Sequence, residues 1–210
     1  MNSIILFWIV FALMAIIIIY FDKKYSLLRD HSTASIKAFS FSRVQLTWWT
    51  LIVFSSFISI IFCNPYHNIP VLMNSTLYLL GISSATMATA TIIDVSDKSD
   101  RNLTQSTLNQ NSESQSFFLD ILSDKSGVSI TRFQAVILNI VFGIWFITKV
   151  LGNLNSTTIS INNIMPDISS NDLILLGLSS GTYAGLKSME NKQTNSNSSP
   201  INSIEQPPVG

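Results

Sequence analysis

Leu79-Leu80-Gly81-Ile82-Ser83-Ser84-Ala85-Thr86 returns almost a hundred residues later as Leu175-Leu176-Gly177-Leu178-Ser179-Ser180-Gly181-Thr182. Upstream of each copy stands a second repeated string, Phe41-Ser42-Arg43-Val44-Gln45 and Ile130-Thr131-Arg132-Phe133-Gln134. The order is the same both times, Arg-x-Gln first and the Gly-x-Ser-Ser element second. Ordered self-similarity of this kind reads as an internal duplication.

Around these strings the charges are segregated. The chain has 210 residues, 47% of them hydrophobic and only 11% charged, against roughly a quarter charged in a soluble domain. No Asp, Glu, Lys or Arg occurs in 1–21, 44–93, 133–148 or 173–186. Such stretches suit hydrocarbon, where one charge at a helix centre costs roughly 2.5–3.5 kcal/mol on insertion scales. The formal net charge is zero, so no overall field recruits nucleic acid.

Working outward, the apolar pattern predicts five transmembrane helices in an all-α bundle. Ser3–Phe21 is an N-terminal anchor of about the ~20 residues a span needs. Its basic residues, Lys23 and Lys24, follow the apolar run, unlike those of a cleaved signal. Spans are then expected at 43–63, 71–93, 131–151 and 173–186, the last short unless 168–171 and Lys187 belong to it. The organisation that follows is an anchor (1–21), a first repeat of a basic segment and two spans (22–94), a flexible polar linker (95–116), a second repeat (117–189) and a disordered tail (190–210). Leu27-Leu28-Arg29-Asp30 reads as the end of a short surface helix, echoed by Ile121-Leu122-Ser123-Asp124. Phe117–Leu122 reads as an amphipathic turn able to lie on a membrane surface. Trp48 and Trp49 fall at the depth of an aromatic belt.

Lys and Arg set the orientation. Lys23, Lys24, Arg29, Lys37 and Arg43 follow the first span, and Lys98, Arg101, Lys125 and Arg132 lie between the third and fourth. The turns at 64–70 and 152–171 carry none. The positive-inside rule places the N-terminus outside and the basic segments and C-terminus in the cytoplasm. Each repeat then returns the chain to the same side, so the two are parallel.

Two sets of residues stand out. Ser42, Arg43 and Gln45, with Thr131, Arg132 and Gln134, fit capping boxes that open helices. An arginine in a first turn opposes the helix dipole, which points to a cytoplasmic anion or carboxylate as its partner. Gly81, Ser84, Ala85 and Thr89, with Gly177, Ser180, Gly181 and Gly185, form small-residue stripes. These predict close helix packing, either at the centre of one protomer or along an oligomeric or pore-lining seam. The single Cys63 excludes an intrachain disulfide. No nucleophile with a base, carboxylate pair or phosphate loop is assembled, and Asp120, Asp124 and Ser126 lack EF-hand spacing. The chain is therefore expected to be no enzyme, with no catalytic, cofactor or metal site.

Ser42-Arg43-Val44-Gln45 with Trp48-Trp49, Leu80-Gly81-Ile82-Ser83, Arg132-Phe133-Gln134 and Gly177 to Tyr183 resemble a family of uncharacterised bacterial multi-pass membrane proteins. In that family both Gly-Ile-Ser elements continue as Gly-Thr, whereas the first copy here has Ala85. The resemblance spans roughly residues 27–187. It implies a bacterial inner membrane and no activity. The expected role is a non-enzymatic anchor or scaffold in contact with lipid and with a cytoplasmic protein partner, the alternative a homo-oligomeric channel or pore-forming effector.

Overall fold

The computed structural model describes residues 3–63, 72–100, 103, 108–156 and 163–192. They form six α-helices: α1 (Ser3–Tyr25), α2 (Phe41–Cys63), α3 (Asn74–Ser99), α4 (Phe117–Leu122), α5 (Ile130–Leu154) and α6 (Ser170–Glu190). A two-residue hairpin, β1 (Ser123–Asp124) and β2 (Gly127–Val128), joins α4 to α5. Asp124 Oδ1 accepts the Ser126 N–H at 2.7 Å, and Gly127 takes a φ of +108° that a side chain would resist.

Four helices, α1, α2, α3 and α5, are long and apolar enough to cross a membrane. They mark the chain as a membrane protein. The fifth expected span, α6, is not among them. Its middle is Gly-Leu-Ser-Ser-Gly-Thr, and Asp172, Lys187 and Glu190 fall inside it. Its 21 residues nevertheless give a rod of about 31 Å at 1.5 Å per residue.

Helices α2, α3, α6 and α5 form a closed four-sided bundle, each packing on the next, and α1 leans against α2 and α5. Phe7, Trp49, Ile52, Leu79, Phe146, Val150 and Leu176 fill the centre. At one end, Ser75 Oγ donates to Asp167 Oδ1 at 2.7 Å and accepts from the Ile168 N–H. This pins the approach to α6 onto the start of α3. Ser169 caps α6 by accepting the Asp172 N–H. The turn at 64–70 lies outside the described residues.

The opposite end carries a folded cap. Residues 26–40 double back on themselves: Asp30 N–H bonds Ala38 O, Ser40 N–H bonds Leu28 O, and Arg29 faces Phe39 across an antiparallel bridge. Leu27–Asp30 is therefore one arm of a loop and not a helix end. Before α5 the hairpin closes the same way, with Ser129 N–H on Leu122 O. In both places a serine just ahead of the Arg-x-Gln helix bonds back to the leucine at the second position of the echoed string.

Residues 108–116, expected as part of a flexible linker, are folded onto 30–39. Glu113 and Lys37 face each other across an antiparallel backbone bridge, Ser114 N–H bonds Ile36 O, and Asn111 Oδ1 accepts from Thr33 N. The remainder of the expected linker does not begin at 95, because α3 runs on to Ser99. Asp94 does not close that helix; it sits buried inside it. Asp120 of α4 fastens the cap, accepting from Phe39 N, Ser114 Oγ and Gln115 N. Of the expected disordered tail, Glu190 and Asn191 pack against the bundle, Lys192 is exposed, and 193–210 lie outside the described residues.

Candidate functional site: the ionic cap and the small-residue faces

Neither expected capping box forms. Helix α2 starts two residues earlier than the box requires, so Ser42 lies within its first turn, with its hydroxyl 3.3 Å from that of Ser40. Gln45 turns inward instead, and its Nε2 donates to Ser180 Oγ at 3.0 Å, both side chains buried. The two repeated strings thus meet, the Gln of the first copy on the Ser of the second. At α5 the cap position is Ser129, without a side-chain bond, and Gln134 is exposed. Thr131 likewise makes no box with it.

The same string therefore does different things in its two copies. Arg43 is half-buried; its Nη2 lies 2.6 Å from His31 Nε2, and its Nη1 donates to Leu27 O. Guanidinium has only donors, so the imidazole must be neutral and accepting at Nε2. Partial burial, then the neighbouring Arg43 and Lys98, hold the His31 pKa below its usual value. Arg132 is buried: Nη2 reaches both Glu190 oxygens at 3.0 and 3.1 Å, Nη1 donates to Ser123 O, and the guanidinium lies 5.4 Å from the Tyr183 ring centroid.

Around Arg132 the helix ends are tied into one network. Lys187 Nζ is 3.1 Å from Asp94 Oδ1 and 4.0 Å from Asp30 Oδ2, joining α6, α3 and the 26–40 loop. Asn191 donates to Asp97 Oδ2 and Gln110 Oε1, and Asn109 donates to Glu190 Oε1. Gln110 donates to Asp94 O. Arg132, Lys187 and Asp94 each have an opposite charge beside them, and buried Asp97 is held by the Asn191 amide, the conditions under which burial is tolerated. Above the network lies a polar cleft of about 660 Å³, lined among others by Asp30, Glu113, Asp120, Asp124 and Arg132. Among the described residues no group of three His, Cys, Asp or Glu is placed to hold a metal ion.

The small-residue stripes point outward. Gly81, Ser84, Ala85, Thr89, Gly181 and Gly185 are exposed, and a Cβ added at Gly81, Gly181 or Gly185 would meet nothing within 4 Å. Only Gly177 approaches a neighbour, its Cβ position lying 3.6 Å from Ile82 Cδ1. Helices α3 and α6 do pack along one another, but through Leu79, Ser83, Thr86, Ala90, Leu176, Ser179, Ser180 and Tyr183. The expectation that the glycine stripes meet inside one protomer is thus corrected. Asp94 and Asp97 on α3, with Lys187 on α6, must face inward to be paired, and this rotates both stripes away. The hydroxyls close on their own helices: Ser83, Thr86 and Thr182 each donate to the carbonyl four residues back.

The close glycine contact lies elsewhere, at Gly143, unmarked by any repeat. A Cβ there would stand 2.5 Å from Trp48 Nε1. Trp48 donates to Asn139 O at 3.0 Å, Trp49 to Asn139 Oδ1 at 2.6 Å, and Asn139 Nδ2 back to Ala135 O. The tryptophan pair is a joint between α2 and α5, with Trp49 fully buried, and not an aromatic belt.

Compared with family models, with curated proteins and with solved structures, the chain finds no match.

Proposed function

We propose that this chain is a non-enzymatic anchor or scaffold subunit of a membrane-associated assembly, holding a soluble partner at its capped end. The observation that carries this reading is the cap itself. Two segments far apart in sequence, 26–40 and 108–128, fold into one platform and are tied to the helix ends by Lys187 on Asp30, Arg132 on Ser123 O, Asn109 on Glu190 and Gln110 on Asp94 O. Such bonds fix geometry more than they add stability. A fixed polar cleft above four crossing helices is what an anchor needs to present.

The basic residues that cluster in and around the cap support a cytoplasmic side for it under the positive-inside rule. With the N-terminus outside, α6 is then a fifth span and the C-terminus is cytoplasmic. The shared closure ahead of α2 and α5 supports two parallel copies of one ancestral helix pair, and the resemblance of the strings points to a bacterial inner membrane. Solubilisation in mild detergent and affinity purification should recover a stoichiometric soluble partner, and Asp124→Lys with Glu113→Lys in the cleft should lose it. Recovery of the chain alone from its native membrane would overturn the reading.

A second reading, a homo-oligomeric pore or effector, is favoured by one observation: the outward glycine stripes. Only another molecule can pack on them. Purified chain in liposomes would then release trapped ions. Gly181→Leu would stop the release without lowering thermal stability, since position 181 is open within the protomer.

A further inference from the structure

Helix α4 is located by its one buried edge. Ile121 packs with Phe41 at the start of α2 and with Ala135 of α5, and Leu122, Val44 and Val136 close around them. Ala135 stands five residues past the first residue of α5, about 7.5 Å along its axis at 1.5 Å per residue. Helix α4 therefore lies beside the first turns of α2 and α5, not beyond their ends.

What α4 and its hairpin leave uncovered is apolar. Phe118 is 68% exposed and Ile130 83%, with Leu119, Val128 and Phe133 also open. On α5 that exposed series continues without a break through Ile137, Ile140, Val141 and Ile144, the surface that a membrane-crossing α5 turns toward lipid. The polar side of α4 is accounted for by Asp120, whose carboxylate is occupied by three donors of the cap. Six residues cannot hold a helix by themselves. This one is held by the Ser116 cap, by Asp120 and by Ile121, so its exposed phenylalanines are presented in a fixed direction.

We infer that α4 and the β1–β2 hairpin form an in-plane foot seated in the lipid interface. Phe118 enters the boundary between headgroups and acyl chains of the leaflet at the capped end. The occupant is lipid because the uncovered surface runs on from the lipid-facing stripe of α5 at the same depth. Amphipathic elements of this kind bury their apolar side about 5–10 Å into that boundary. The foot fixes the height and tilt of the cap relative to the bilayer, and so where a docked partner would sit. The inference rests on α5 crossing the membrane.

The test uses the full chain carrying Cys63→Ser, reconstituted in nanodiscs of phosphatidylcholine and phosphatidylglycerol. A spin label is placed singly at Phe118→Cys, Gln115→Cys or Ile144→Cys. Collision with oxygen, which concentrates in lipid, is compared with collision with a water-soluble nickel chelate. The expected result is an oxygen-to-nickel ratio at 118 several-fold above that at 115 and of the same sense as at 144. Val128→Cys should follow 118, which guards against a misfolded Phe118 variant. A lipid-like ratio at 144 with water-like ratios at 118 and 128 would overturn the inference and indicate that a protein covers this face. A water-like ratio at 144 as well would overturn it through its premise.

Discussion

Gly143 and Gly181 are the same residue in opposite circumstances. At 143 the backbone of α5 lies against the Trp48 indole, and any Cβ must displace the ring and its bond to Asn139. At 181 the Cβ position is empty. Gly143→Ala is therefore expected to lose about 1–3 kcal/mol through overpacking. Gly181→Ala is expected to gain a few tenths to about 1 kcal/mol from helix propensity. Thermal unfolding of both variants in one detergent checks the sign. The repeat drew the eye to Gly181, whereas Gly143 has no local signal, because its partner lies on a helix far away in sequence.

His31 makes a second prediction at this scale. Its folded pKa lies below the usual 6.5, through partial desolvation and then through Arg43 and Lys98, with Lys37 acting in the same direction and Asp30 against it. Below that value the unfolded chain takes up a proton more readily than the folded one, so stability falls as pH drops through the 6.5 region. Above it the contribution is complete. Stability measured from pH 8 to pH 5 should decline at the acid end, and His31→Gln should flatten that part of the decline.

Among the elements, the long helices were legible because hydrocarbon imposes length and apolarity on whatever crosses it. The repeated strings correctly marked where α2 and α5 begin to within a residue or two. Rotation about each helix axis was not legible. It follows from pairs such as Asp94 with Lys187 and Gln45 with Ser180, whose members are set in different helices. The part of the cap from 108 to 116 reads as linker for a related reason. Residues 109–116 are all Asn, Gln or Ser but for Glu113, a composition that normally stays solvated, and here they are ordered by side-chain bonds to Thr33, Glu190 and Asp97 by way of Asn191. Asp120 is the keystone of that arrangement. Asp120→Ala should make the backbone between 112 and 117 the first site of cleavage by a nonspecific protease applied from the capped side. An unchanged digestion pattern would show that the cap holds without it.

For the molecule as a whole, the two helix pairs carry the same two short strings yet use them unequally. Arg132 and Ser180 are buried where Arg43 is half-exposed and Ser84 is exposed, and Gln45 is buried where Gln134 is exposed. At each of these positions one member has gone to the interior and the other toward the surface, and Gln45 of the first copy bonds Ser180 of the second. If α6 crosses the bilayer, its two ends are reachable from opposite sides. In sealed inside-out vesicles of the Cys63→Ser chain, a membrane-impermeant maleimide should label Ser188→Cys and spare Ser170→Cys. Labelling of both positions would make α6 re-entrant.

The bond from Gln45 to Ser180 also sets an order of events during biogenesis. The amide enters with the second helix to emerge from the ribosome, and its hydroxyl acceptor arrives with the last. Trp49 waits in the same way for Asn139, which comes with α5. A nascent chain halted after α3 carries both donors without their native acceptors, so the first helix pair is chemically incomplete until the final helix has been delivered.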